Sequence, residues 1–235
     1  MKDDMTYAAK SAYVGQLAQS YDSDRTSEAI WAKEQEFMAA RIASMSVGAT
    51  VLDLPAGTGR FTGMFLSRGL KVIALDISAD MLAELTRQHS GHGDKLVART
   101  GDAENLDLAD DCVDYLVSWR FFHLIPSTVV RRVLHEYRRV CTGSVIVHVF
   151  DIAPSGLMYR AKTAFKNALR PVYRAMLGRG KNPVRPWLHI SSYQHTIAAL
   201  RSAFDEAGFV VTEDVRLGYY GALPVHIFVL SRKSS

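Results

Sequence analysis

VLDLPAGTGRF, residues 51–61, decides the fold. An apolar run ends in Asp53 and turns through Pro55-Ala56-Gly57-Thr58-Gly59 into a segment with helical character. A buried strand that passes through a glycine turn into a helix is the first unit of an open α/β sheet. Such turns hold ligands beyond the carboxyl ends of the strands. Gly57 and Gly59 permit dihedrals that a Cβ forbids and let the backbone approach a ligand closely. Pro55 stands where nucleotide-binding loops usually carry their first glycine. Proline fixes φ near about −65° and removes one amide donor, so the turn forms with one contact fewer.

The rest of the chain repeats the strand-then-helix rhythm. KVIALD (71–76) reads as a second strand, and Ser78 is a suitable N-cap for the helix ADMLAELTRQ. KLVART and CVDYLVSW give strands three and four. A helix then opens at Pro126 and runs through STVVRRVLHEYRRV, and SVIVHVF (144–150) is strand five. Gly69 and Gly208 stop the helices that precede them. Two last strands, FVVTEDVRL and PVHIFVLSRK, are separated only by GYYGALP, too little for a crossover helix, so they pair antiparallel at one edge. Residues 6–45 read mostly as helix. This pattern predicts an α/β fold with helices on both faces of a mostly parallel, seven-stranded sheet and right-handed crossovers. It predicts one domain over 1–235, with an N-terminal helical cap at 1–47 and a basic helical insertion at 152–190 after strand five.

The residues at the strand ends indicate which ligand. Asp76, at the end of strand two, can accept hydrogen bonds from both hydroxyls of a ribose. Asp102, in the TGDAENL loop after strand three, comes within reach of an adenine amino group. A carboxylate at Asp53 would repel a pyrophosphate and suits a cationic ligand such as an aminoacyl sulfonium.

Composition limits the alternatives. The chain has 235 residues, 48% hydrophobic and 22% charged, as in a globular protein, and no apolar run suggests a signal peptide or a membrane span. The cytoplasm is the expected compartment. Cys112 and Cys141 have no metal-binding spacing and read as buried thiols, and no metal is expected. The net charge of +4 is unevenly distributed. Residues 152–204 hold nine basic residues and no acidic one, leaving 19 basic against 24 acidic residues elsewhere, a net of −5. That argues for a local anionic partner and against general nucleic-acid affinity. Within 157–185, Lys162, Lys166, Arg170 and Arg174 recur every four residues. This stripe has three readings: a peripheral contact with the inner face of an anionic membrane, a lid over a phosphorylated or lipid-linked acceptor, or a solvated cover.

VLDLPAGTGRF, ALDISADML, GDAENL, VDYLVSWRFFHL and AGF before a terminal hairpin, in this order and spacing, resemble the successive motifs of class I S-adenosylmethionine-dependent methyltransferases. The resemblance runs from about residue 48 to the C-terminus, excluding the basic segment. It implies a doubly wound Rossmann-like domain, S-adenosyl-L-methionine as cofactor, and in-line methyl transfer to a small acceptor, anionic or lipid-linked. Asp53, Pro55, Gly57 and Gly59 would then face the methionine part of the cofactor. Asp76 would bind the ribose and Met81 would pack on the adenine. Asp102 and the Ala103 backbone would read its amine, and Ser118 and Trp119 would line the methyl-transfer site. Tyr21, in SAYVGQLAQSYDSDR, resembles part of a lid that closes over the cofactor, or it packs this helix to the body.

Two residues are candidates for catalysis. His123 either accepts a proton from a substrate hydroxyl or packs structurally. Arg120 either clamps a substrate carboxylate or phosphate, or extends over an aromatic patch with its head in water. His189 and His195 flank the segment before the last helix, where they either bind the acceptor, as residues there often do in this family, or are solvated or cap the helix. Two other classes remain: a regulatory protein that binds the cofactor without turnover, and a nicotinamide-dependent reductase. Asp53, the hairpin and the absence of a Tyr-x-x-x-Lys motif disfavour the reductase.

Overall fold

The computed structural model describes residues 30–151, 193, 195–221 and 223–234. The sheet has seven strands: β1 (Thr50–Asp53), β2 (Lys71–Asp76), β3 (Leu96–Thr100), β4 (Val113–Ser118), β5 (Cys141–Phe150), β6 (Phe209–Tyr220) and β7 (Leu223–Arg232). Their order across the sheet is β3-β2-β1-β4-β5-β7-β6. The first five are parallel, β7 lies antiparallel to β5, and β6 is antiparallel to β7 at the edge. The strand order reverses direction between β1 and β4, which opens the crevice of a doubly wound sheet beside the glycine turn.

Helices cover both faces. On one face lie α1 (Trp31–Ser44), α2 (Thr62–Ser67) and α3 (Ala79–Gln88), which bury Met38, Ile42, Phe65, Leu66, Leu82 and Leu85 against Val51, Val72, Val117 and Ile146. On the other, α4 (Ser127–Val140) and α5 (Ile197–Glu206) bury Val133, Tyr137, Leu200 and Phe204 against Leu52, Leu116, Val147 and Phe228. Central strands read as continuous apolar runs because both of their faces are covered. The edge strand β6 alternates polar and apolar residues instead, as FVVTEDVRLGYY requires.

Several boundaries differ from the sequence reading. Strand β5 begins at Cys141 rather than Ser144. Its Gly143 crosses the Asp114 carbonyl so closely that a Cβ would come within 2.2 Å of that oxygen. Tyr219 and Tyr220 belong to β6, so the hairpin turns at Gly221 and not through the whole of GYYGALP. Cys112 is half-buried, whereas Cys141 is fully buried and its thiol is pushed up to about 12 by burial. Tyr21, His189 and the insertion at 152–190, with its stripe at 157–185, lie outside the described residues, as does the cap before Ile30. Among the described residues no helix is long and apolar enough to cross a membrane.

Candidate active site

The glycine turn is tied to the end of β2. The Ala56 amide donates to the Leu75 carbonyl at 2.8 Å, the Gly57 amide to Asp76 Oδ2 at 2.8 Å, and the Gly59 amide to the Ala56 carbonyl at 3.0 Å. Pro55, which follows a cis peptide bond, has no amide to contribute. A pyrophosphate cradle needs free amides aimed at the ligand. This turn directs three of its own inward and presents carboxylates instead.

Both glycines have positive φ, +55° at Gly57 and +84° at Gly59, but for different neighbours. A Cβ on Gly59 would lie 2.8 Å from Leu85 Cγ, so this glycine lets the turn pack against α3. A Cβ on Gly57 would meet nothing within 4 Å, which leaves that side of the turn open to a ligand. Alanine in the left-handed region costs about 1–2 kcal/mol. Gly57→Ala is therefore expected to lower stability by about that amount, and Gly59→Ala by more, because Leu85 must also move. Urea midpoints of the two variants check the order.

Asp53 and Asp76 are both buried, 3% and 7% exposed. Burial raises the Asp53 carboxyl well above the ordinary range, and the Asp76 charge pushes in the same direction. Burial also raises Asp76, against the amide hydrogen bonds of Ser78 and Gly57 that favour its ionised form. Two buried carboxylates that resist ionising together would be stabilised by a nearby cation.

The remaining expected cofactor residues are distributed around this turn. Met81 is buried in the first turn of α3, where its amide donates to the Ser78 cap. Asp102 Oδ1 accepts from the Glu104 amide at 3.0 Å, closing a local turn, and Ala103 beside it is buried. Gly101 donates to the Asp76 carbonyl, which fixes that loop to the ribose-binding aspartate expected from the sequence. Ser118 and Trp119 point to opposite faces. The Ser118 hydroxyl is hydrogen-bonded to the Tyr137 hydroxyl at 2.9 Å, on the α4 side. Trp119 faces the α1 side, edge-on to Phe61 with ring centroids 5.0 Å apart.

Arg120 is not the solvent-headed arginine of the second reading. It is 5% exposed, has φ of +52°, and donates from Nη2 to Glu34 Oε2 at 2.9 Å. Its head is therefore buried and ion-paired rather than in water over an aromatic patch, although its guanidinium does lie 5.5 Å from the Tyr220 ring. His123 is half-buried in a short 3-10 turn, its ring 5.0 Å from Phe150 and its carbonyl accepting from the Tyr193 amide at 2.8 Å. His195 donates from Nε2 to the Phe122 and Ile125 carbonyls, which ties the start of α5 to that turn.

The sequence reading missed Glu34, Arg60 and His148. Glu34 is fully buried on α1 and accepts from Arg60 Nη1 at 2.6 Å, from Arg120, and from His148 Nε2 at 3.0 Å. Burial alone would raise its carboxyl. The His148 hydrogen bond and the charges of Arg120 and Arg60 outweigh burial and hold the pKa at about 2. Burial pushes His148 below the usual histidine range, and the two arginines add to that. A signal existed for two of them. Glu34 lies on the buried stripe Ile30–Glu34–Met38–Ile42, and His148 interrupts an apolar strand.

Residues 51–143 match the family described as a methyltransferase domain. The chain is 46% identical over 71 residues to the malonyl-[acyl-carrier protein] O-methyltransferase of Pectobacterium atrosepticum, covering 30% of this chain and 26% of that one. It is 31% identical over 161 residues to the demethylmenaquinone methyltransferase of Thermobifida fusca, covering 66% of this chain and 61% of the other. It thus spans less than two thirds of either relative. Its fold is similar to that of the 1,6-didemethyltoxoflavin-N1-methyltransferase of Burkholderia thailandensis, solved with its acceptor and S-adenosylhomocysteine bound. The TM-score is 0.64 at 19% identity over 98% of this chain and 93% of that one.

Proposed function

We infer that the chain, whose residues 51–143 match a methyltransferase domain, is a class I S-adenosylmethionine-dependent methyltransferase that moves a methyl group from this cofactor to a small-molecule acceptor. The observation that carries the reading is the buried pair Asp53 and Asp76 at a turn whose amides are engaged within the protein. These residues fit the cofactor: Asp53 faces its cationic methionine end and Asp76 its ribose, with Gly57 giving close approach. Bound there, the sulfonium supplies an activated methyl group. What the chain adds is alignment and exclusion of water, which suffices for an in-line displacement when the acceptor is sufficiently nucleophilic. Met81, Asp102 and Ala103 hold the adenine in this reading. The one-sign charge of residues 152–204 favours an acceptor that carries an anionic group or is presented at an anionic surface.

The charge on the cofactor gives a direct test. A sulfonium favours ionised Asp53, so its binding is linked to loss of a proton from that carboxyl. Because the folded pKa of Asp53 is raised, rising pH ionises a group that then needs a cation. Affinity for S-adenosylmethionine is expected to increase with pH relative to that for uncharged S-adenosylhomocysteine. Calorimetric titration of both at several pH values measures the ratio, and a flat ratio removes Asp53 from the sulfonium. Incubation with methyl-labelled cofactor and cell extract should then yield a labelled product one methylene heavier.

A further inference from the structure

Two buried ring side chains on the α1 face have a polar atom with no hydrogen-bond partner among the described residues: Trp119 Nε1 and His148 Nδ1. Trp119 is 8% exposed and His148 1%. Such orphans are uncommon, since a buried polar group left unpaired costs about 1–3 kcal/mol. These two are neighbours, with ring centroids 4.8 Å apart, Trp119 just beyond the carboxyl end of β4 and His148 within β5 near its carboxyl end. Their chemistry is complementary. An indole N–H only donates. His148 Nε2 faces Glu34 Oε1, a carboxylate held ionised by Arg60 and Arg120, so Nε2 carries the proton and Nδ1 is left with a lone pair that only accepts. One donor and one acceptor on adjoining rings match a hydroxyl group, which accepts one hydrogen bond and donates another.

The surroundings indicate what carries the hydroxyl. Phe61, Trp119, His148, Phe150 and Tyr220 form a continuous row of ring contacts from the glycine turn to the tip of the hairpin. The charged and titratable groups at this row are Glu34, Arg60 and Arg120 beside His148, and His123 across Phe150.

We propose that Trp119 and His148 hold the hydroxyl of an acceptor with an apolar, ring-bearing skeleton, and that His148 is the base for its methylation. The proposal rests on the methyltransferase reading. In the step, the hydroxyl oxygen forms a bond to the methyl carbon as the carbon–sulfur bond breaks. The electron pair of that bond stays on sulfur, which becomes the neutral thioether, and the hydroxyl proton passes to His148 Nδ1. Glu34, hydrogen-bonded to Nε2, then faces an imidazolium and stabilises it.

Binding of 2-naphthol and 2-methoxynaphthalene in the presence of S-adenosylhomocysteine tests this, because the methyl ether can accept from Trp119 but cannot donate to His148. The unmutated chain is expected to prefer 2-naphthol by about tenfold. His148→Phe should abolish that preference, while Trp119→Phe should weaken both ligands alike and keep it. If 2-naphthol does not bind, if the two ligands bind equally, or if His148→Phe retains the preference, the proposal is overturned. Should His148→Phe fail to fold, nitrogen-15 spectra of the unmutated chain decide. One imidazole with a bare Nδ1 should shift on addition of 2-naphthol, and no response overturns the assignment. Failure of S-adenosylhomocysteine itself to bind would overturn the methyltransferase reading and this proposal with it.

Discussion

Asp76→Ala is expected to bind S-adenosylmethionine at least about a hundredfold more weakly than the unmutated chain. Two charge-assisted hydrogen bonds to the ribose, each contributing about 1.5–3 kcal/mol, are lost. A second loss comes from the loop itself. Asp76 Oδ2 accepts from the Gly57 amide at 2.8 Å and Oδ1 from the Ser78 amide at 2.9 Å, so the carboxylate also fixes the glycine turn and the start of α3. Asp76→Asn is not a mild substitution here. Both oxygens face N–H donors, and an amide would set its own N–H against one of them. Its affinity should fall nearly as far as that of the alanine variant. Titration calorimetry measures both, and a loss under tenfold for Asp76→Ala would take this residue out of the cofactor site.

Glu34→Ala is expected to cost about 3–5 kcal/mol of stability, the usual result of leaving buried charges without their partner. Arg120, with 4% of its side chain exposed, and Arg60, with 11%, both rely on this carboxylate. The pH dependence has a definite sign. The folded-state pKa of Glu34 is depressed from 4.5 to about 2. Its contribution is therefore fully present above the unfolded value and is lost as pH falls through 4.5 toward 2. The shift corresponds to about 3 kcal/mol. Urea unfolding at pH 7 and at pH 3 should show the variant's deficit shrinking at the lower pH. A deficit independent of pH would mean that packing of α1, rather than the ion cluster, stabilises the fold.

Local chemistry made much of the architecture legible before any coordinates. Ser78 caps α3 through its hydroxyl, and the helix runs Ala79–Gln88 as its pattern predicts. The loop too short for a crossover correctly required the terminal hairpin. Boundaries were misread where a long-range contact decides them. The sequence reading began strand five after Gly143, yet this glycine is what lets β5 pass the Asp114 carbonyl. The carboxylates of the glycine turn were legible because they stand in consecutive, ordered motifs. The Glu34 cluster was not, since its members are separated by up to 114 residues and meet only once α1 packs across the ends of β4 and β5. Arg120 illustrates the difference: its neighbours in sequence are aromatic, but its partner lies 86 positions away.

The position of β7 has a consequence for synthesis on the ribosome. This strand follows every other in the chain but lies inside the sheet, between β5 and β6, with Val225, Ile227, Phe228 and Leu230 fully buried. Domains generally fold from the N-terminus as the chain emerges. Here β1 to β5 can assemble early, but β5 keeps an open, apolar edge, and β6 has nothing to pair with until residues 223–232 leave the exit tunnel. The nascent chain therefore passes through a stage with a sticky unpaired strand, the condition under which sheets recruit foreign strands. A chain stalled before Leu223 should be captured by chaperones or aggregate, whereas release of ten further residues closes the sheet.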